Sequence, residues 1–285
     1  MEKAILKVED LFYVYSNGTA ALNGVNVDIY AGEKIAVLGS NGSGKSTFFL
    51  NLNGVYRPRQ GKITYRGTVV TKSNLKELRK HIGIVFQDAD NQIIASTVRA
   101  EVAFGPMNLK IPKEEVRERV DEALEYMNIT ELKDRPPHYL SGGEKKRVSI
   151  ADIIAMQPEI IIFDEPTSSL DPVNAKMLEE VLDQLGSEGK TLLISTHDVD
   201  FAYRWAQRLL VFSQGKIIAD GPPLDIFQDK AILEQAHLKL PTMLEVYKLL
   251  VANAYLREKA ACPKSIQEFK EFLENGRAAN WAWAD

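Results

Sequence analysis

The sequence predicts an α/β fold, an open sheet of buried strands with reactive residues at its carboxyl ends and a small helical extension at the C-terminus. Three observations predict it. First, Lys34 to Leu38, His81 to Phe86, Glu159 to Phe163 and Thr191 to Ser195 are short, nearly continuous apolar runs, the pattern of strands covered on both faces. Second, residues 113–128, 145–156 and 173–186 carry apolar side chains at helical spacing between those runs. Third, Gly39-Ser40-Asn41-Gly42-Ser43-Gly44-Lys45-Ser46-Thr47 joins the first run to a helical start, which is the strand-loop-helix setting of a phosphate-binding loop.

The chemistry of that loop follows from its residue types. Glycines let successive N–H groups curl around a phosphate, and the helix start adds partial positive charge. Lys45 is expected to reach the β- and γ-phosphates, and the Ser46 hydroxyl to ligate Mg²⁺. The composition sets outer bounds. A chain of 285 residues with 45% apolar and 26% charged content suits one large domain plus an appendage. A net charge of -4 gives no general reason to bind nucleic acid. The single cysteine, Cys262, excludes an intrachain disulfide and fits a reducing cytosol. No signal peptide and no membrane-spanning run are expected, so work at a membrane needs another chain to do the spanning.

In chain order, residues 4–30 alternate loosely around Asn17-Gly18 and read as β structure with a turn. Tyr15, beside that turn, is placed to stack on an adenine, although a strand tyrosine serves a core equally well. Arg57 to Gly61 marks a turn, Lys62 to Tyr65 a short strand, and Leu75 with Leu78 a brief helix. The strand ending at Phe86 delivers Gln87. In residues 113–128, Val116, Val120, Leu124 and Met127 share one face while Glu114, Glu115, Arg117, Glu118 and Arg119 are expected to face water.

Leu140-Ser141-Gly142-Gly143-Glu144 opens the next helix, as a plain N-cap or as an anion site. The run to Phe163 ends in Asp164-Glu165, adjacent acids where open α/β sheets place their chemistry. Asp164 can hold Mg²⁺, and Glu165 can take a proton from an attacking water. Ser169-Leu170-Asp171-Pro172 caps a helix, and the run to Ser195 ends in Thr196-His197-Asp198. Arg208 to Phe212 and Gly215 to Ala219 read as closing strands. Residues 222–285 turn to short helices punctuated by prolines and end with Trp281 and Trp283, expected to dock on the domain.

The order of these parts resembles the ATPase subunit of an ATP-binding-cassette (ABC) transporter, over about residues 4–220. The resemblance implies a nucleotide-binding domain over 1–221 with a mixed sheet core, an antiparallel β subdomain and a helical subdomain at about 88–156, followed by the 222–285 extension. It implies ATP and Mg²⁺ as ligands. Residue by residue, it makes Tyr15 the adenine stacker and Gln87 a contact for Mg²⁺ and water. Ser141, Gly142 and Gly143 become donors to ATP held by a second subunit. Glu165 becomes the general base, His197 the γ-phosphate sensor, and Asp171 part of the nucleotide-binding interface. Glu144 departs from the glutamine of most members, an acid expected to weaken dimer closure.

Val85-Phe86-Gln87-Asp88, Asn91-Gln92, Val102 to Pro106, Asn108-Leu109 and Leu52-Asn53-Gly54 resemble the energy-coupling-factor class. Arg135 to His138, Ala155-Met156 and Leu238 to Leu244 are similar to the cobalt- or nickel-uptake ATPase of that class (CbiO-like). Asp90 and Asp152 depart from its pattern. The resemblance implies a homodimer working with an integral membrane coupling subunit and a substrate-binding membrane subunit, peripheral at the cytoplasmic face of the cell membrane. Residues 88–106 are the expected grip for the membrane subunit. A vitamin-uptake ATPase that pairs with a different subunit is the nearest alternative. A non-transport ABC ATPase of DNA repair or translation is the other.

Overall fold

The computed structural model describes residues 3–89, 92–168, 170–256 and 262–278. Asp90, Asn91, Ser169, Trp281 and Trp283 lie outside the described residues. The chain opens with a hairpin, β1 (Leu6–Val14) and β2 (Ala20–Ile29). Its turn is set by Asn17, whose side-chain oxygen accepts from the Thr19 N–H at 3.0 Å. Then come β3 (Lys34–Leu38), α1 (Lys45–Leu52), β4 (Gln60–Tyr65) and β5 (Thr68–Val69). Strands β2-β1-β4-β5 form an antiparallel four-stranded sheet.

After α2 (Leu75–His81) and β6 (Ile82–Val85), the chain makes a helical layer of α3 (Val98–Asn108), α4 (Lys113–Tyr126) and α5 (Gly142–Ala155). It returns through β7 (Ile160–Asp164), α6 (Pro172–Ser187), β8 (Thr191–Ser195), α7 (Val199–Trp205), β9 (Arg208–Ser213) and β10 (Lys216–Gly221). The six-stranded sheet runs β10-β9-β3-β8-β7-β6, parallel except for the edge strand β10.

This sheet is a partition between two cores, and period-two alternation decides which side chain enters which. Ile35, Val37, Ile160, Ile162 and Leu193 face the antiparallel sheet and α1. Ala36, Leu38, Ile161, Phe163, Leu192 and Ile194 face the helical layer. Both sides being dry explains why these strands read as unbroken apolar runs. Truncating a central residue such as Ile162, fully buried, to Ala removes about 2–5 kcal/mol.

Helix α4 buries Val116, Val120 and Leu124 as its periodicity requires. Its polar face is less uniform than the sequence suggests. The Arg119 side chain is only 18% exposed and bonds Glu115 at 2.6 Å, its aliphatic stem lying along a groove with Tyr126.

The tail is built onto the main core. In α8 (Pro223–Gln228), α9 (Lys230–Ala236) and α10 (Thr242–Ala252), the residues Ile226, Phe227, Leu233, Ala236 and Leu244 join the cluster that holds Val211. Polar ties reinforce it. Asp200 on α7 accepts the Thr242 N–H at 2.6 Å and its hydroxyl at 2.9 Å, and the Tyr203 hydroxyl donates to Cys262 Sγ at 3.2 Å. Helix α11 (Ile266–Ala278) ends the described chain.

Candidate active site

Four neighbouring parallel strands end on one edge of the sheet. β3 leads into the phosphate loop, β6 into Gln87, β7 into Asp164-Glu165 and β8 into Thr196-His197. A cavity of about 480 Å³ opens there. It is lined by Tyr15, Asn41 to Thr47, Gln87, Glu165, Ser168 and His197, with Thr19 and the first residues of β2, Ala20 and Ala21, closing one side. Sequence positions up to 182 residues apart along the chain thus meet in one cleft.

The loop is shaped for an anion. Gly44 adopts φ +113° at the start of α1, where a Cβ would sit 2.7 Å from the Ala21 carbonyl. No other residue fits that approach. No side chain caps α1 and no acid stands in its first turn, so its leading N–H groups are left for a ligand. The Ser43 hydroxyl is buried without a hydrogen-bond partner among the described residues. Lys45 is buried, and its ammonium folds back onto the carbonyls of Gly39 (2.7 Å) and Ser40 (3.2 Å). Desolvation lowers its pKa, opposed by the negative charge of Glu165 and Asp164. A triphosphate is the natural partner for such a cation. Tyr15 donates to or accepts from Thr47 Oγ1 at 2.6 Å and stands edge-on to Tyr13 and Tyr56, half-buried at the rim.

The acids are held by a residue that sequence reading passed over. Ser195 Oγ donates to Asp164 Oδ1 at 2.6 Å and accepts the Glu165 N–H at 2.9 Å. One hydroxyl therefore fixes both. Glu165 sits at φ +47°, a left-handed position for a non-glycine residue, and its carbonyl accepts the Ser168 N–H and hydroxyl. Its Oε1 lies 2.9 Å from His197 Nε2. Burial raises the Glu165 pKa, and the nearby His197 and Lys45 counteract that. A buried base beside a histidine, facing a phosphate cradle, is equipped to accept a proton from water. Ser46, Gln87 and Asp164 offer only oxygen donors, the set that suits Mg²⁺.

The remaining sequence-predicted residues lie elsewhere. Ser141, Gly142, Gly143 and Glu144 form the N-terminus of α5 and do not line the cavity. They close a capping box, in which Ser141 Oγ accepts the Glu144 N–H at 3.3 Å and Glu144 accepts the Ser141 N–H at 2.7 Å. Those bonds from Ser141 hold the Glu144 carboxyl below its ordinary range. Asp171 caps α6, accepting from the N–H groups of Val173 and Asn174. A Cβ on Gly143 would come within 2.9 Å of the Asn174 amide, so the two caps are neighbours.

Comparison with known proteins bears on this geometry. The family model for the ABC transporter matches residues 22–168. The chain is 46% identical over 248 residues to the energy-coupling factor transporter ATP-binding protein EcfA of Methanocaldococcus jannaschii, covering 86% of this chain and 89% of that one. It is 49% identical over 274 residues to a putative ABC transporter ATP-binding protein of Methanosarcina mazei, covering 95% of this chain and 60% of that relative's length. Among solved structures it is similar to cbiO1 from Clostridium perfringens, part of the ABC transporter complex cbiONQ. The TM-score is 0.73 at 42% identity, over 87% of this chain and 100% of that one.

Proposed function

Since this chain belongs to the ABC transporter family as an ATP hydrolase akin to the energy-coupling-factor ATPases, we propose that it energises a membrane importer for cobalt or nickel ions. Two copies close head to tail over ATP, and hydrolysis reopens them. One observation carries the dimer. The cavity is lined by the phosphate loop, Gln87, Glu165 and His197, while the Ser141-Gly142-Gly143 donors stand on the same chain but outside it. Donors built away from their own site find a use in a second copy's site.

In that reading Gly39 to Thr47 wraps the phosphates, Tyr15 stacks on adenine, and Asp171 belongs to the closing interface. Ser46, Gln87 and Asp164 would hold Mg²⁺, which neutralises charge between the β- and γ-phosphates when bound. Glu165 accepts the proton of the attacking water and His197 donates to the γ-phosphate. Cargo is assigned to cobalt or nickel on the motifs shared with the cobalt- or nickel-uptake ATPase. Among the described residues no three His, Cys, Asp or Glu side chains converge to hold a metal ion; in this reading the cargo belongs to the substrate-binding membrane subunit. No helix among the described residues is long and apolar enough to cross a membrane. The exposed Ile94, Phe104 and Met107, in and beside residues 88–106, are the surface proposed for the membrane subunit at the cytoplasmic face.

The test compares wild type with a chromosomal Glu165→Gln variant in the native host at trace metal supply. A selective fall in cellular cobalt or nickel names the cargo. Unchanged levels of both, with redundant importers absent, reject it in favour of a vitamin. The purified variant is expected to bind ATP and dimerise without turnover, and normal turnover would remove Glu165 from its role.

A further inference from the structure

Helix α5 carries a second device one and a half turns beyond its cap. Lys146 is buried, 4% exposed, in a position that a methionine would fill at lower cost in desolvation. Its ammonium reaches out of the helix to the carbonyls of Phe86, at 2.6 Å, and Gln87, at 3.1 Å. The same stretch is held from its other side. The Phe86 N–H donates to Gln92 Oε1 at 3.3 Å, and Gln92 Nε2 donates to the Ser149 carbonyl, again on α5. The peptide groups flanking Phe86 are thus bonded on both sides to groups tied to one helix. Asp164 and Asp88 supply the opposing negative charge.

Gln87 lines the nucleotide cavity and also a second one, of about 270 Å³, shared with Gly142, Lys146 and Ser168. Lys146 stands five residues after Ser141, about 7.5 Å along the helix at 1.5 Å per residue. We infer that Lys146 is a positioning residue: through it, the helix whose N-terminus completes a partner's site sets the placement of Gln87 in its own. Engagement of α5 by the partner's ATP then moves the anchor of the group that orients Mg²⁺ and water in this chain. This inference rests on the head-to-tail reading above.

Steady-state ATP hydrolysis by the full chain, with Mg-ATP as the titrated ligand, tests it. In Lys146→Met, kcat falls about tenfold or more while the apparent affinity for ATP stays within about threefold, the signature of an interaction used in the transition state. The Hill coefficient for ATP drops from above one to about one, because the two sites no longer sense each other. Lys146→Arg returns cationic donors and brings kcat back to within about threefold of wild type. The inference is overturned by a Lys146→Met kcat within twofold of wild type, or by an affinity that falls in step with kcat. It is equally overturned by a Lys146→Arg variant as slow as Lys146→Met. Glu165→Gln run alongside separates the two levels. If Glu165→Gln is active, the reading of the site fails; if it is inert while Lys146→Met is normal, only the inference fails.

Discussion

Two helix N-termini in this chain meet anions in opposite ways. At α1 the capping position is a glycine at φ +113°, no side chain satisfies the leading N–H groups, and no acid stands in the first turn. At α5 the same positions are filled from within, with Ser141 and Glu144 bonding each other's backbone. The open terminus can take a phosphate as it stands. The closed one presents a carboxylate where an anion would go, so a ligand there must share Ser141 and tolerate Glu144. The first terminus is left bare for a ligand, and the second already holds its own carboxylate in place of one.

Four changes would break or sharpen that contrast. The largest effect belongs to the open terminus. Lys45→Ala should reduce turnover by roughly 10²–10³-fold, as loss of a preorganised charge donor does, in parallel with loss of ATP binding by calorimetry. Ser141→Ala removes a cap worth about 1 kcal/mol and, in the proposed head-to-tail dimer, a donor to the partner's ATP. Turnover should fall roughly tenfold while ATP binding to the isolated chain is unchanged. If binding to the isolated chain weakens too, the two termini are not separate in function.

Glu144→Gln keeps the box but removes its charge. ATP-driven dimerisation, followed by light scattering, should reach half-saturation at an ATP concentration about 2–5-fold lower, the worth of one charge near a helix end. Equal closure would show that the acid is electrostatically silent. The smallest effect comes from further along α5. Asp152 is a half-buried carboxyl beside Glu101, pushed up to about 7 by desolvation first and that neighbour second, against the weaker lowering pull of hydrogen bonds from Gly105 and Gln92. A folded pKa above the unfolded value means the native state holds a proton that the unfolded chain releases. The associated stability is present at acid pH and is lost as pH rises through about 7. Asp152→Asn should therefore raise the melting temperature by on the order of 3 °C at pH 8, and by progressively less toward pH 5. A pH-independent gain would contradict the titration.

The sequence carried the parts of this site that lie within one element. Lys45 and Ser46 were legible from loop spacing, and Asp164, Glu165 and His197 from their position after apolar runs. The central strands β3, β6, β7 and β8 were legible because both their faces are dry, and β1 and β2 from their looser alternation. Ser195 was not, although it directly precedes Thr196-His197. Its partner acids stand 30 and 31 residues away, and a strand-end serine has no spacing of its own to betray it. Lys146 was hidden among neighbouring charges in Lys145-Lys146-Arg147, where only burial distinguishes the one that turns inward. Glu144, read as a departure from the family's glutamine, is half of a capping box. The tail is set apart by composition as an extension too small for a core of its own, and Leu233 and Leu244 pack into the main core.

The parallel pairing of the sheet has an evolutionary consequence. Val85 is opposite Phe163, Phe163 opposite Ile194, and Asp164 and Val37 both opposite Ser195. Each strand is pinned against its neighbour, so the residues that follow them stay level. A single-residue insertion inside any one strand would move its terminal group by about 3.3 Å and turn its side chains to the opposite core. Insertions in surface connections away from the phosphate loop and the helix caps carry no such penalty. Descendants of this chain are thus freer to drift in length there than across these short ladders, and gaps in an alignment should avoid the ladders more strictly than substitutions do.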